Sequence, residues 1–177
     1  MFHRVLSFIG SKFEFKIPAH NELTTLEIEC IDKMRATVDE YVQKLEKVKI
    51  KEGLKIAMHA SQICNKYIQD SNGFEIFKTD KARAGTIYKL AANLLVVVSV
   101  LLEPYIPSFS AKIYSLLNLE RNERTAQFLK EIHQANNSES YLTFIETGHP
   151  INESRPIFKE ITDDQVKSWR EKYGEKV

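Results

Sequence analysis

Basic side chains interleaved with an aromatic are the first chemistry this sequence offers. Arg4, Lys12 and Lys16 lie near the N-terminus, and Lys66, Lys78, Lys81 and Arg83 bracket Phe74. Cations hold phosphates and an unstacked base lies on a flat ring, which is what single-stranded RNA requires. The stretch NKYIQDSNGFEIFK, residues 65–78, sets Phe74 and Phe77 immediately after a Ser-Asn-Gly stop. By residue type alone, the default for such rings is a core plug at a helix end, because Phe prefers burial. A surface platform is the other reading.

Other chemistries lack their parts. The histidines (3, 20, 59, 133 and 149) include no pair at helical ligand spacing and no HExxH. Cys30 and Cys64 are isolated, which points to neither a disulfide framework nor a zinc site and fits a reducing, cytosolic setting. There is no GxSxG elbow and no Gly-rich phosphate loop, and His149 in GHPI reads as a turn residue. No catalytic residue, metal ligand or cofactor site is expected. The lysines at 44, 47, 49, 51 and 55 are diluted by Glu46 and Glu52 and read as a solvated face.

The elements that would position these residues are helical. At 177 residues, one domain spanning 1–177 is the default. A chain with 43% hydrophobic residues, 28% charged, and only 6 Gly and 5 Pro is a folded protein in which helices are favoured. Lys plus Arg number 25 against 24 acidic residues, so an RNA or membrane partner must be met by a local patch. Phe2, Val5, Leu6, Ile9 and Phe13 make one face of a first helix, with Arg4, Ser7 and Ser11 on the other. That helix begins without a cap, which suggests a fragment of something longer.

A long amphipathic helix is expected within 22–48, through Ile31, Met34, Val38, Tyr41, Leu45 and Val48. A second covers about 51–70, with Gly73 as its stop. From Asp80 as N-cap, a helix apolar on most sides runs to Glu103; its run of 13 apolar or small residues, LAANLLVVVSVLL, is too short to span a bilayer and reads as the central helix. Two prolines in EPYIPSFS end it, and a helix with Ile113, Leu116 and Leu117 follows. TAQFLKEIHQ gives a faint helical signal, YLTFIETGHPI suggests an extended stretch and a turn, and ITDDQVKSWREKYG reads as a capped terminal helix. The fold class is an all-α bundle of about five long helices.

In order along the chain, RVLSFIGSKF, NKYIQDSNGF, DKARAGTIYKLAANLL, LLEPYIPSFS, GHPI and FKEITDDQVKSWREKYG resemble the helical anticodon-binding domain of methionyl-tRNA synthetase, closest to its eukaryotic cytosolic form. The resemblance covers nearly the whole chain and implies a class I synthetase anticodon-binding fold. It implies a cytoplasmic protein that receives the CAU anticodon loop of methionine tRNA at one end, and a last helix that returns toward a catalytic domain. ATP and methionine would bind that catalytic domain, which this chain lacks. By the same resemblance, Arg4 is the arginine that reads the first anticodon base, a cytosine. Phe74 stands where the family has tryptophan as its stacking platform, and the family's Pro-Trp reads Gly73-Phe74 here. The family's asparagine, four residues before the arginine, falls ahead of Met1. Asn65 and Gln69, on the helix leading to the stacking position, are further candidate anticodon contacts, and among the basic residues around Phe74 noted above, Lys12, Lys78 and Arg83 are the candidate phosphate contacts. The resemblance turns the reading of Phe74 from plug to platform.

Two alternatives compete. A helical scaffold that docks only proteins would leave Arg4 and Phe74 dispensable and expose an apolar binding surface. The anticodon domain of a synthetase for leucine, isoleucine, valine or cysteine fits GHPI and the terminal helix less well.

Overall fold

Every residue from 84 to 102 is buried, and that sets the architecture: one apolar helix is the axis and the others are staves. The computed structural model describes residues 2–119, 125–135, 137–158 and 161–174. The elements are α1 (Phe2–Lys12), α2 (Thr25–Glu46), α3 (Ile50–Asp70), α4 (Gly73–Thr79), α5 (Lys81–Leu102), α6 (Pro107–Leu116), α7 (Thr125–Gln134), a 3-10 turn (Glu139–Leu142) and α8 (Asp163–Tyr173). Around α5 pack α1, α2, α3, α4, α6, α7 and the 3-10 turn, while α2 and α3 pair as a hairpin. The all-α class holds, but only α2, α3 and α5 are long, at 22, 21 and 22 residues. The others have 7 to 11 residues, which corrects the expectation of about five long helices.

Boundaries follow the local chemistry. The Asp80 carboxylate caps α5 by accepting the Arg83 N–H at 2.8 Å. Pro107 sits at the start of α6, where a missing N–H costs nothing. The polar groups inside α5 are answered locally. Asn93 donates to the Lys89 carbonyl at 2.9 Å and accepts the Ile145 N–H at 2.8 Å. Lys89, only 4% exposed, donates to Thr147 Oγ1 at 2.7 Å and meets His20 Nδ1 at 3.0 Å. The GHPI stretch forms an isolated antiparallel bridge between Lys16 and Pro150, and His149 Nε2–H donates to the Leu117 carbonyl at 2.8 Å, closing the end of α6.

The stop after α3 is not the expected one. Asn72 takes the left-handed conformation, at φ 45°, and Gly73 begins the short helix α4. Gly73 answers a need for space: a Cβ there would lie 2.9 Å from the Tyr88 ring. The expected stop thus conceals a seven-residue helix that carries both Phe74 and Phe77.

The α2–α3 turn is a Schellman motif, with Lys49 N–H donating to the Lys44 carbonyl and Val48 N–H to the Leu45 carbonyl. Its left-handed residue is Val48, at φ 58° and 77% exposed, a costly place for a β-branched side chain. Asn118 takes the same role after α6 at φ 53°, with a residue type that tolerates it. Val48→Gly is therefore expected to raise the unfolding free energy by about 1 kcal/mol, read as a higher midpoint in urea at unchanged slope.

Candidate nucleic-acid interface

Arg4 and Phe74 are 70 positions apart in sequence, yet they line one cleft of about 300 Å³. On α1 the helical steps 4, 7, 8 and 11 carry Arg4, Ser7, Phe8 and Ser11 along one face, and all four border the cleft. Across from them stand Phe74 on α4, Tyr88 on α5 and Ile68 on the last turn of α3. The volume is at the small end for ligand pockets, suited to one flat ring system.

The aromatic geometry separates the two phenylalanines that sequence left together. Phe77 is partly buried, edge-on to Phe8 at 5.5 Å and to Phe13 at 5.6 Å, and so is a core plug. Phe74 is 55% exposed and touches Phe8 with ring centroids 6.1 Å apart and planes at 68°. Phe8 is in turn stacked on Tyr88 at 3.9 Å and 9°. The cleft thus has a fixed aromatic floor and an exposed ring at its rim. Phe8 and Tyr88 are the members that sequence reasoning missed. Phe8 was signalled by its place four residues after Arg4, whereas nothing in the periodicity of an almost fully buried α5 distinguished Tyr88.

Cations border these rings. Lys78 Nζ lies 5.1 Å from the Phe74 centroid and is held by both Glu75 carboxylate oxygens at 2.9 and 2.7 Å. Lys12 Nζ lies 5.8 Å from the Phe77 centroid. Burial raises the Tyr88 hydroxyl above its ordinary range, and the Arg4 guanidinium partly opposes that rise, which places its charge within reach of this ring. The cleft therefore pairs apolar surface with a permanent planar cation.

The remaining sequence candidates sit elsewhere. Asn65 and Gln69 are exposed on α3 and are not among the residues that line the cleft, although their neighbour Ile68 is. Arg83 turns inward: its Nη2 donates to both Glu27 oxygens at 2.8 Å and to Thr24 Oγ1 at 3.1 Å. Its role in this structure is to tie α5 to the start of α2. Trp169 lies on α8, with 48% of its surface exposed.

A bundle of helices around one apolar axis, with an arginine and an exposed ring at a cleft, has the fold of a domain carried by aminoacyl-tRNA synthetases. A crystal structure of Mycobacterium tuberculosis methionyl-tRNA synthetase in its free state superposes with a TM-score of 0.75 at 15% identity, over 89% of this chain and 30% of that one. A family described as the anticodon binding domain of methionyl tRNA ligase matches residues 17–177, and the chain belongs to that family. The cytoplasmic methionine-tRNA ligase of Arabidopsis thaliana is 36% identical over 178 residues, and a methionine-tRNA ligase of Pyrococcus abyssi is 27% identical over 164. The matches cover 97% and 93% of this chain but 22% and 21% of those proteins, so the chain spans about a fifth of the relatives' length.

Proposed function

We propose that this chain is the part of a cytoplasmic methionyl-tRNA synthetase that receives the CAU anticodon loop of methionine tRNA. In this reading Arg4 engages the first anticodon base and Phe74 stacks on it. The observation that carries the reading is the convergence of Arg4 and Phe74 on one cleft. A guanidinium presents a planar fork of donors that suits the carbonyl and ring nitrogen of cytosine, and it keeps its charge at all working pH values. The exposed ring offers a π-face, and Lys12 and Lys78 supply positive charge for phosphates. Activation of methionine with ATP and its transfer to tRNA would belong to the catalytic domain of the longer protein.

That domain is the second partner in this reading, and α8 is the surface that would meet it. A capping box starts α8, in which Thr162 and Gln165 bond each other's backbone N–H. None of its residues is buried, and Val166, Trp169 and Tyr173 fall on one stripe at steps of three and four.

The test is a fluorescence titration of the chain with a 17-nucleotide hairpin bearing CAU and with the same hairpin bearing GAU, at one fixed salt concentration. A preference for CAU of about tenfold is expected, abolished by Arg4→Ala, consistent with the 1 to 3 kcal/mol that one good base contact supplies. Equal binding of both hairpins by the unaltered chain would reject the reading.

A further inference from the structure

The outer face of α3 carries a stripe that the cleft does not use. Lys51, Lys55, Met58, Gln62, Asn65 and Gln69 recur at steps of four and three, and all six are exposed. At its upper end the stripe reaches the last turn of α3, whose Ile68 lines the cleft. At its lower end it reaches the α2–α3 turn, some 27 Å away at 1.5 Å per residue. The two helices of the hairpin differ sharply in charge. From Gly53 to Gln69, α3 holds no carboxylate, and its two acidic residues are both engaged: Glu52 with Lys44 and Lys49, Asp70 with Lys66. On α2, by contrast, Glu29, Asp32, Glu40 and Glu46 are all exposed. Lys51 and Lys55 make no ion pair among the described residues.

We infer that this face of α3 is a track for the phosphate backbone of a duplex RNA arm, continuous with the loop held in the cleft. The inference rests on the proposed function and assigns it a second surface. An amide-rich stripe ending in two free ammoniums matches phosphate and 2′-hydroxyl groups, which are read by shape and charge and not by sequence. An acidic protein would answer the lysines but not a row of amides that ends on the last turn of α3, where Ile68 borders the cleft. In this light the lysines near residue 50, read from sequence as a solvated face, become the far anchor of the RNA. A five-pair anticodon stem spans under about 17 Å even at the 3.4 Å rise of B-form duplex, so Lys51 and Lys55 would touch the arm beyond it.

The experiment compares a full-length tRNA transcript bearing CAU with the 17-nucleotide CAU hairpin, using the unaltered chain and the double variant Lys51→Glu/Lys55→Glu. Both positions are exposed, and matching thermal unfolding curves would verify that the variant is folded. The expected result is roughly tenfold weaker binding of full-length tRNA, with hairpin binding changed by less than about twofold. The slope of log affinity against log salt for full-length tRNA should fall in magnitude by about 1 to 2, the value for one or two lost phosphate contacts. Unchanged binding of full-length tRNA would overturn the inference and return the face to solvent or to a protein partner. Equal weakening of both RNAs would also overturn it, because the lysines would then act only through net charge. Loss of the CAU preference in the unaltered chain, with the lysine effect on full-length tRNA intact, would reject the cleft reading and leave the track standing.

Discussion

Arg83→Met is expected to lower the unfolding free energy by about 3 kcal/mol at pH 7, because it strands a carboxylate that has no access to water. Glu27 is 0% exposed, and its two oxygens accept from Arg83, from the Thr24 hydroxyl and N–H at 2.7 and 3.0 Å, and from the Tyr67 hydroxyl at 2.9 Å. Those bonds join α2, α3 and α5 at one point. The Arg83 side chain is itself 21% exposed, which puts the effect at the lower end of the range for breaking a buried pair.

The pH dependence identifies the mechanism. Burial alone pushes Glu27 up, but the bonds from Arg83, Thr24 and Tyr67 together outweigh it and hold the carboxyl below its ordinary 4.5. A carboxyl depressed by folding contributes stability that is present above its unfolded pKa and is lost as pH falls through the folded one. Without Arg83, burial is opposed by less, so the folded carboxyl of the variant holds its proton to a higher pH than that of the parent chain. As pH falls, the variant is the first of the two folded forms to protonate, and the free-energy difference between them shrinks. Urea unfolding at pH 7, 5.5 and 4.5 should therefore show the gap narrowing steadily. A constant gap would mean that the Arg83 stem matters only through packing. Glu27→Gln added to Arg83→Met should recover much of the loss, since no buried charge remains.

Arg83 also shows where sequence reading stops. A basic residue beside an aromatic segment reads as available to phosphates, and only the three-dimensional partner, 56 positions away, reveals that its Nη2 is held by a buried carboxylate. The long elements were legible because their signals are periodic and redundant: α2, α3 and α5 repeat an apolar step over five or more turns. The α1 half of the cleft was equally legible, since Arg4, Ser7 and Ser11 already shared a polar face. The α4 half was not. A seven-residue helix gives too few turns to establish a period, and Ser71-Asn72-Gly73 reads the same whether the chain then enters a loop or a new helix. Distinguishing Phe74 from Phe77 required knowing that Phe8 and Phe13 close over one and leave the other at the rim. Tyr88 was concealed because α5 is buried on every side from residue 84 onward, so no period marks one face.

Removing the Phe74 ring tests whether its exposure serves binding. Phe74→Ala should weaken the CAU hairpin by about 1 to 3 kcal/mol, the range for one base stacked on one aromatic side chain. That corresponds to roughly fivefold to 150-fold in dissociation constant. Stability should change much less, because the ring is half in solvent and meets the bundle mainly through one edge contact with Phe8. Phe74→Trp, with a larger π-face at the same rim, should tighten binding. Salt separates the ring from its neighbour: the Phe74→Ala loss should persist as salt is raised, whereas any loss from Lys78→Gln should fade, since only the ammonium competes with counterions. If one base touches both groups, combining Phe74→Ala with Arg4→Ala should cost less than the sum of the two single losses. Strictly additive losses would mean that the ring and the guanidinium hold different nucleotides, and the cleft would then be read as two adjacent contacts instead of one base site.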